Sequence, residues 1–128
     1  MNFQRIEHIN KVCQNLETTL QFYQTLFPEW FIRAQERSEE MSWLHFGNQQ
    51  FYLSLYEHPN HSTPMSTGSI DHIGLVIDDG KRMLSLLEAN QIEYFLEDSP
   101  ETKYRIYVQD PDNTGLELVE YKESYDLR

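Results

Sequence analysis

Two histidines stand at matching points of two similar stretches. Residues 6–20 read IEHINKVCQNLETTL and residues 70–84 read IDHIGLVIDDGKRML; a slide of 64 positions lays Ile6 on Ile70, His8 on His72, Ile9 on Ile73, Val12 on Val76 and Leu20 on Leu84. A strand built from Ile, Leu and Val has no packing need for an imidazole. A lone strand histidine is most often a hydrogen-bonded structural group, but one placed twice at the same point of one pattern points to a shared task. Near the other end, GLELVEY at 115–121 offers Glu117. Two neutral imidazole nitrogens and one carboxylate form a divalent-metal ligand set. The carboxylate offsets one of the ion's two charges, and coordination positions stay open for water, oxygen or an anionic substrate.

The elements that must carry these residues follow from pattern and turn chemistry. A strand is expected over 4–12, then a helix capped by Asn15 with Leu16, Leu20, Tyr23 and Phe27 on one stripe. Strands near 29–36, 41–46 and 50–57 follow, the last two joined by the turn GNQQ. The second half repeats the order: strand 70–77, a cap at Asp78 or Asp79, a helix carrying Met83, Leu84 and Leu87 and ending near Asn90, then strands near 92–97, 103–109 and 115–121 with the turn DPDNTG between the last two. The segment HPNHSTPMSTGS, 58–69, reads as a linker, and its His58 and His61 as incidental histidines rather than a metal pair.

Each half is thus strand, helix, three strands, and one such half alone leaves a sheet face uncovered. The expected fold is α+β: paired βαβββ modules forming a curved, cup-shaped mixed sheet with helices on the convex face. Module one spans about 4–57 and module two 70–121, in one domain with a short tail, 122–128.

Strand parity assigns the faces. In FYLSLYE, Phe51, Leu53 and Leu55 meet the helix, leaving Tyr52, Ser54 and Tyr56 for the cup. MSWLHF turns Leu44 and Phe46 inward and Trp43 with His45 outward; KYRIYV places Tyr104, Ile106 and Val108 under the helix and Arg105 with Tyr107 opposite. Leu116 and Leu118 flank Glu117, which therefore points into the cup. Both faces of IDHIGLVI are apolar, so His8 and His72 are assigned by the repeat: equivalent positions approach a pseudo-twofold axis from opposite sides.

Composition bounds the function. A chain of 128 residues suits one domain and buries roughly two thirds of its unfolded surface without disulfides. Ten basic against 21 acidic residues give a net charge of −11, which excludes a phosphate-backbone or anionic-lipid partner and leaves a metal ion or cationic ligand as guest. No run approaches the ~18 apolar residues of a membrane span, the opening MNFQRIEHIN lacks the apolar core of a signal peptide, and the single Cys13, expected as buried filler, fits a reducing cytoplasm.

The stretches IEHINKVCQNLETTLQFYQTLF, IDHIGLVIDD and IYVQDPDNTGLELVEY together resemble the vicinal oxygen chelate superfamily over about residues 4–121. That superfamily groups glyoxalases, fosfomycin-resistance enzymes, extradiol dioxygenases and bleomycin-resistance proteins. The resemblance implies His8, His72 and Glu117 as ligands of one divalent ion (Fe, Mn, Ni or Zn), a small-molecule substrate and commonly a homodimer. Glyoxalase I-like members resemble a four-ligand plan with a carboxylate on the fourth strand of module one. Here Tyr52, Ser54 and Tyr56 face the cup and none is an anionic ligand at neutral pH, so a three-ligand chemistry is expected.

Tyr107, ten residues before Glu117, matches a position where fosfomycin transferases and extradiol dioxygenases place a tyrosine toward metal-bound substrate. His45, at the equivalent place of module one, is the candidate general acid or base. Arg105 either steers an anionic substrate or pairs with one of the acidic side chains, and Trp43, Tyr52, Ser54 and Tyr56 line the substrate space. The dioxygenase signature histidine is absent from DSPETK, 98–103, and no basic cluster suited to phosphonate stands near the end of the chain. The expectation is a metal-dependent lyase, isomerase, transferase or dioxygenase; the competing one is a bleomycin-resistance-like binding protein without catalysis, whose aromatic cup would attract a cationic ligand.

Overall fold

The computed structural model describes residues 3–57, 70 and 72–123, so His58 and His61 lie outside the described residues. The chain divides into two compact units, Met1–Met65 and Ser66–Arg128. In the first, the order is β1 (His8–Cys13), α1 (Leu16–Leu26), β2 (Phe31–Glu36), β3 (Ser42–Gly47) and β4 (Tyr52–Glu57). In the second it is β5 (His72–Val76), α2 (Gly80–Ala89), β6 (Phe95–Leu96), β7 (Thr102–Gln109) and β8 (Gly115–Tyr121). Each unit is the expected βαβββ module, and the fold is α+β.

The two sheets share one topology. The first runs β1-β4-β3-β2 and the second β5-β8-β7-β6. β1 lies parallel to β4 and β5 parallel to β8, with the remaining pairs antiparallel. A parallel pair needs a crossover rather than a hairpin, and the helix with two further strands supplies it.

Alternation divides each sheet into a buried and an open face. Leu44, Phe46, Leu53 and Leu55 are buried, as are Leu16, Leu20, Tyr23 and Leu26 of α1. In the second unit Ile106, Val108, Leu116 and Leu118 are buried, with Met83 and Leu87 of α2. Leu84 is only half-buried. Burying each large aliphatic side chain contributes about 1.5–3 kcal/mol, so these two layers hold their modules together. Cys13 is buried filler, as expected.

Both helices start under side-chain caps. Asn15 accepts from Thr18 N at 3.0 Å and Asp79 from Arg82 N at 3.0 Å. Each start also receives a carboxylate from the last strand of its own unit: Glu57 accepts from Leu16 N at 3.1 Å and Glu120 from Gly80 N at 2.8 Å. Negative charge at the positive end of the helix macrodipole is stabilising, and here it also ties helix to sheet. The turn between β7 and β8 is closed by buried Asp110, which accepts from Asp112 N and Thr114 N at 2.8 and 2.9 Å.

Several expected strands are shorter in the structure, two of them informatively. β1 begins at His8 and not at residue 4, and Ile6 and Ile70 are both exposed. The strand expected over 92–97 reduces to Phe95–Leu96 at a sheet edge, where Tyr94 instead donates from its hydroxyl to Glu88 of α2 at 2.7 Å. Acidic neighbours and a short length are how an edge avoids pairing with other chains.

Gly80 sits against Tyr104 of β7. A Cβ there would lie 2.4 Å from two ring carbons, so Gly80→Ala forces ring or helix from its seat. The expected cost is about 1–3 kcal/mol of stability, read from urea unfolding against the parent chain.

Candidate metal and substrate site

Register fixes which open-face residues correspond. In the second unit Gly74 pairs with Glu117 and Glu117 with Tyr107. In the first, Asn10 pairs with Ser54 and Ser54 with His45. Ser54 is therefore the module-one counterpart of Glu117, and His45 that of Tyr107. By the same pairing Trp43, opposite Tyr56, corresponds to Arg105, opposite Val119.

Glu117 is the centre of the second unit's open face. Its two oxygens have different partners: Oε1 accepts from Arg105 Nη1 and, at 3.0 Å, from the Tyr107 hydroxyl. Oε2 lies 3.4 Å from His72 Nε2. Burial pushes the Glu117 carboxyl up, but hydrogen bonds from Arg105 and Tyr107, with the charges of Arg105 and His72, hold it below the usual carboxylate range. Glu117 is thus an anion at neutral pH. Gly74 leaves the space beside it open, since a Cβ there would lie 3.9 Å from Oε2. Two ligand bonds of about 2.1 Å meeting at a tetrahedral angle separate their donor atoms by about 3.4 Å, so the His72–Glu117 spacing suits a shared cation.

Tyr107 and Arg105 surround that carboxylate. The Tyr107 hydroxyl also donates to Glu97 at 2.7 Å, and its pKa is pushed up to about 12 by the hydrogen bond to Glu97, by burial and by the hydrogen bond to Glu117. It is a proton donor at neutral pH, with one proton for two acceptors. Arg105 pairs with Glu117 and, at 3.2 Å, with Glu101, which is the ion-pair alternative foreseen for it. An open depression of about 910 Å³ adjoins His72 and Tyr107.

The first unit presents rings instead of charges. His8 stacks on Tyr52 at 4.8 Å between centroids, Tyr52 on His45 at 4.4 Å, and His45 meets Trp43 at 4.9 Å. The Arg33 guanidinium lies 4.4 Å over the Tyr52 ring. Burial lowers the His45 pKa, and the nearby Arg33 guanidinium adds to that, so His45 is a neutral imidazole able to take a proton. Trp43 donates from its indole to Glu36 at 3.2 Å. Tyr56 and Ser54 stand half-buried on the same face.

The predicted ligand set divides between the units, with His8 in the first and His72 and Glu117 in the second. Among the described residues no three His, Cys, Asp or Glu side chains gather as a metal-ligating group. Two further acids adjoin the predicted residues: Glu7, whose Oε1 lies 2.8 Å from His8 Nδ1, and Glu97, which accepts from the Tyr107 hydroxyl. A signal for the first was present: each repeated histidine follows an acid, Glu7-His8 and Asp71-His72.

No family model and no curated protein sequence matches the chain. Solved structures do, over almost its whole length. A glyoxylase/bleomycin resistance protein/dioxygenase domain from Frankia sp. EAN1pec superposes with a TM-score of 0.80 at 16% identity, covering 97% of this chain and 96% of that one. A lactoylglutathione lyase from Agrobacterium tumefaciens gives 0.71 at 17%, covering 94% and 96%. The fosfomycin resistance protein FosX from Listeria monocytogenes, a mutant complexed with Mn(II) and a dihydroxypropylphosphonic acid, gives 0.73 at 18%, covering 96% and 95%. The chain shares the fold of these glyoxylase/bleomycin resistance/dioxygenase-domain, lyase and fosfomycin-resistance proteins. No described helix is long and apolar enough to cross a membrane.

Replacing Arg105 tests the electrostatics directly. In the metal-free parent, a carboxyl ¹³C titration is expected to place Glu117 below its ordinary 4.5; in Arg105→Gln it moves above that value, because burial stays while the cation goes. The stabilising contribution of ionised Glu117 is complete above 4.5 and is lost as pH falls through its lower folded value. The variant is therefore destabilised at neutral pH, and the gap narrows on acidification.

Proposed function

We propose that the protein is a metal-dependent enzyme acting on a small substrate that offers two oxygen atoms to one divalent ion. The ligands in this reading are His8, His72 and Glu117, brought together by modules of one chain or of two copies. The observation that carries it is the division of the Glu117 carboxylate: Oε1 is held by Arg105 and Tyr107, while Oε2 is left beside His72 Nε2 at 3.4 Å. When bound, the ion polarises the substrate oxygens and stabilises developing enolate or alkoxide charge.

The chain's own groups complete the chemistry. Tyr107, protonated at neutral pH, donates a hydrogen bond to a substrate oxyanion in exchange for one of its two carboxylate acceptors. His45, neutral and half-buried, removes or returns a proton. Ser54 occupies the corner where a fourth, anionic ligand would stand, so the set favours a three-ligand proton transfer or addition over the four-ligand glyoxalase I plan. Metal choice among Fe, Mn, Ni and Zn follows from open positions and availability rather than from this donor set.

A second reading rests on the ring ladder Trp43, His45, Tyr52 and His8. With the chain's net charge of −11, it supports a binding protein for a flat or cationic ligand without catalysis. Calorimetry at low salt with a basic glycopeptide tests it: heat that is lost in Trp43→Ala supports binding, and none removes the reading.

For the enzyme reading, protein purified without chelators and equilibrated with Mn(II), Ni(II) or Zn(II) is expected to hold close to one ion per ligand set by elemental analysis. His72→Ala and Glu117→Gln each abolish stoichiometric uptake. A parent protein that stays metal-free under these conditions overturns the proposal.

A further inference from the structure

We propose that Glu7, supported by Tyr52, is a positioning residue that sets the tautomer and the plane of His8. The His8 side chain is 43% exposed, and a ring so open to water would rotate and exchange protons between its two nitrogens. Two contacts restrain it, and two hydrogen bonds from Tyr52 hold Glu7 in turn. Glu7 Oε1 lies 2.8 Å from Nδ1, and a carboxylate only accepts, so Nδ1 carries the proton and Nε2 the lone pair. The Tyr52 ring lies against the imidazole, inclined by 14°, which fixes its plane. The Tyr52 hydroxyl donates to the same Oε1 at 3.4 Å, and Tyr52 N donates to the Glu7 carbonyl at 3.0 Å. Glu7, His8 and Tyr52 thereby form one small bonded group across the parallel β1–β4 pair.

Free imidazole in water favours the opposite tautomer, with the proton on Nε2. Glu7 reverses that preference before any ligand arrives. A carboxylate or carbonyl on the far nitrogen is the usual device for aiming a histidine at a cation. That Nε2 then ligates a metal rests on the function proposed above; the tautomer itself does not.

The experiment is long-range ¹⁵N–¹H correlation NMR on the metal-free full chain, well above the imidazole pKa, with the His8 signals assigned by their loss in His8→Gln. The parent is expected to show His8 protonated at Nδ1. Glu7→Ala shifts it mainly to Nε2, while Glu7→Gln, whose carbonyl still accepts, keeps it at Nδ1. Calorimetric affinity for Mn(II) falls about 10–100-fold in Glu7→Ala and recovers in part in Glu7→Gln. Glu7 is exposed, so neither change touches the core. A parent His8 protonated at Nε2, or a tautomer unmoved by Glu7→Ala, overturns the proposal. If the tautomer responds as expected but no form of the protein binds metal, Glu7 still positions His8 and the metal reading alone falls.

Discussion

Alternation along β4 and β8 is the constraint on which everything else rests. Each strand lies inside its sheet, so one row of side chains must meet a helix and the other must face away from it. Leu53 and Leu55, like Leu116 and Leu118, are held by burial, and Ser54 and Glu117 are thereby held outward. A slip of one residue would exchange the rows and put a carboxylate under the helix. The hydrophobic layer is what keeps the polar face in register.

The two open faces use one scaffold for different ends. Module two concentrates charge: a carboxylate of low pKa gripped by a guanidinium and a phenol, with a histidine at its other oxygen. Module one concentrates π-surface, where serine replaces the carboxylate and histidine the phenol.

Much of this was legible in the residues, and the boundary of legibility has physical causes. Local effects read well: Asn15 and Asp79 announce the helix starts, and alternating Leu, Phe and Val announce the buried faces. A constant slide of 64 served the first strand and helix of each module but would lay Glu117 on Leu53, which is buried. The strand register corrects this, because turns between elements absorb insertions that strands do not tolerate; His8 pairs with Tyr52, 44 residues on, and His72 with Gly115, 43 residues on. Which acid Arg105 would choose was not legible among 21, since long side chains select partners through three-dimensional packing. Parity puts Tyr52 on the open face, but its contacts there with His8, His45 and Arg33 depend on three-dimensional packing and were not legible. β6 shrank because an edge strand gains little from pairing and Tyr94 had a helix partner instead.

Glu57 and Glu120 carry one last implication. Each closes its module by reaching from the final strand to the first residue of the helix that came much earlier in the chain. The latch belongs to the copy that uses it, so a module carries its own fastening wherever it is placed. Inheritance by duplication, or trading of halves between molecules, would then leave helix anchorage intact, and the outward-facing rows would be at liberty to diverge.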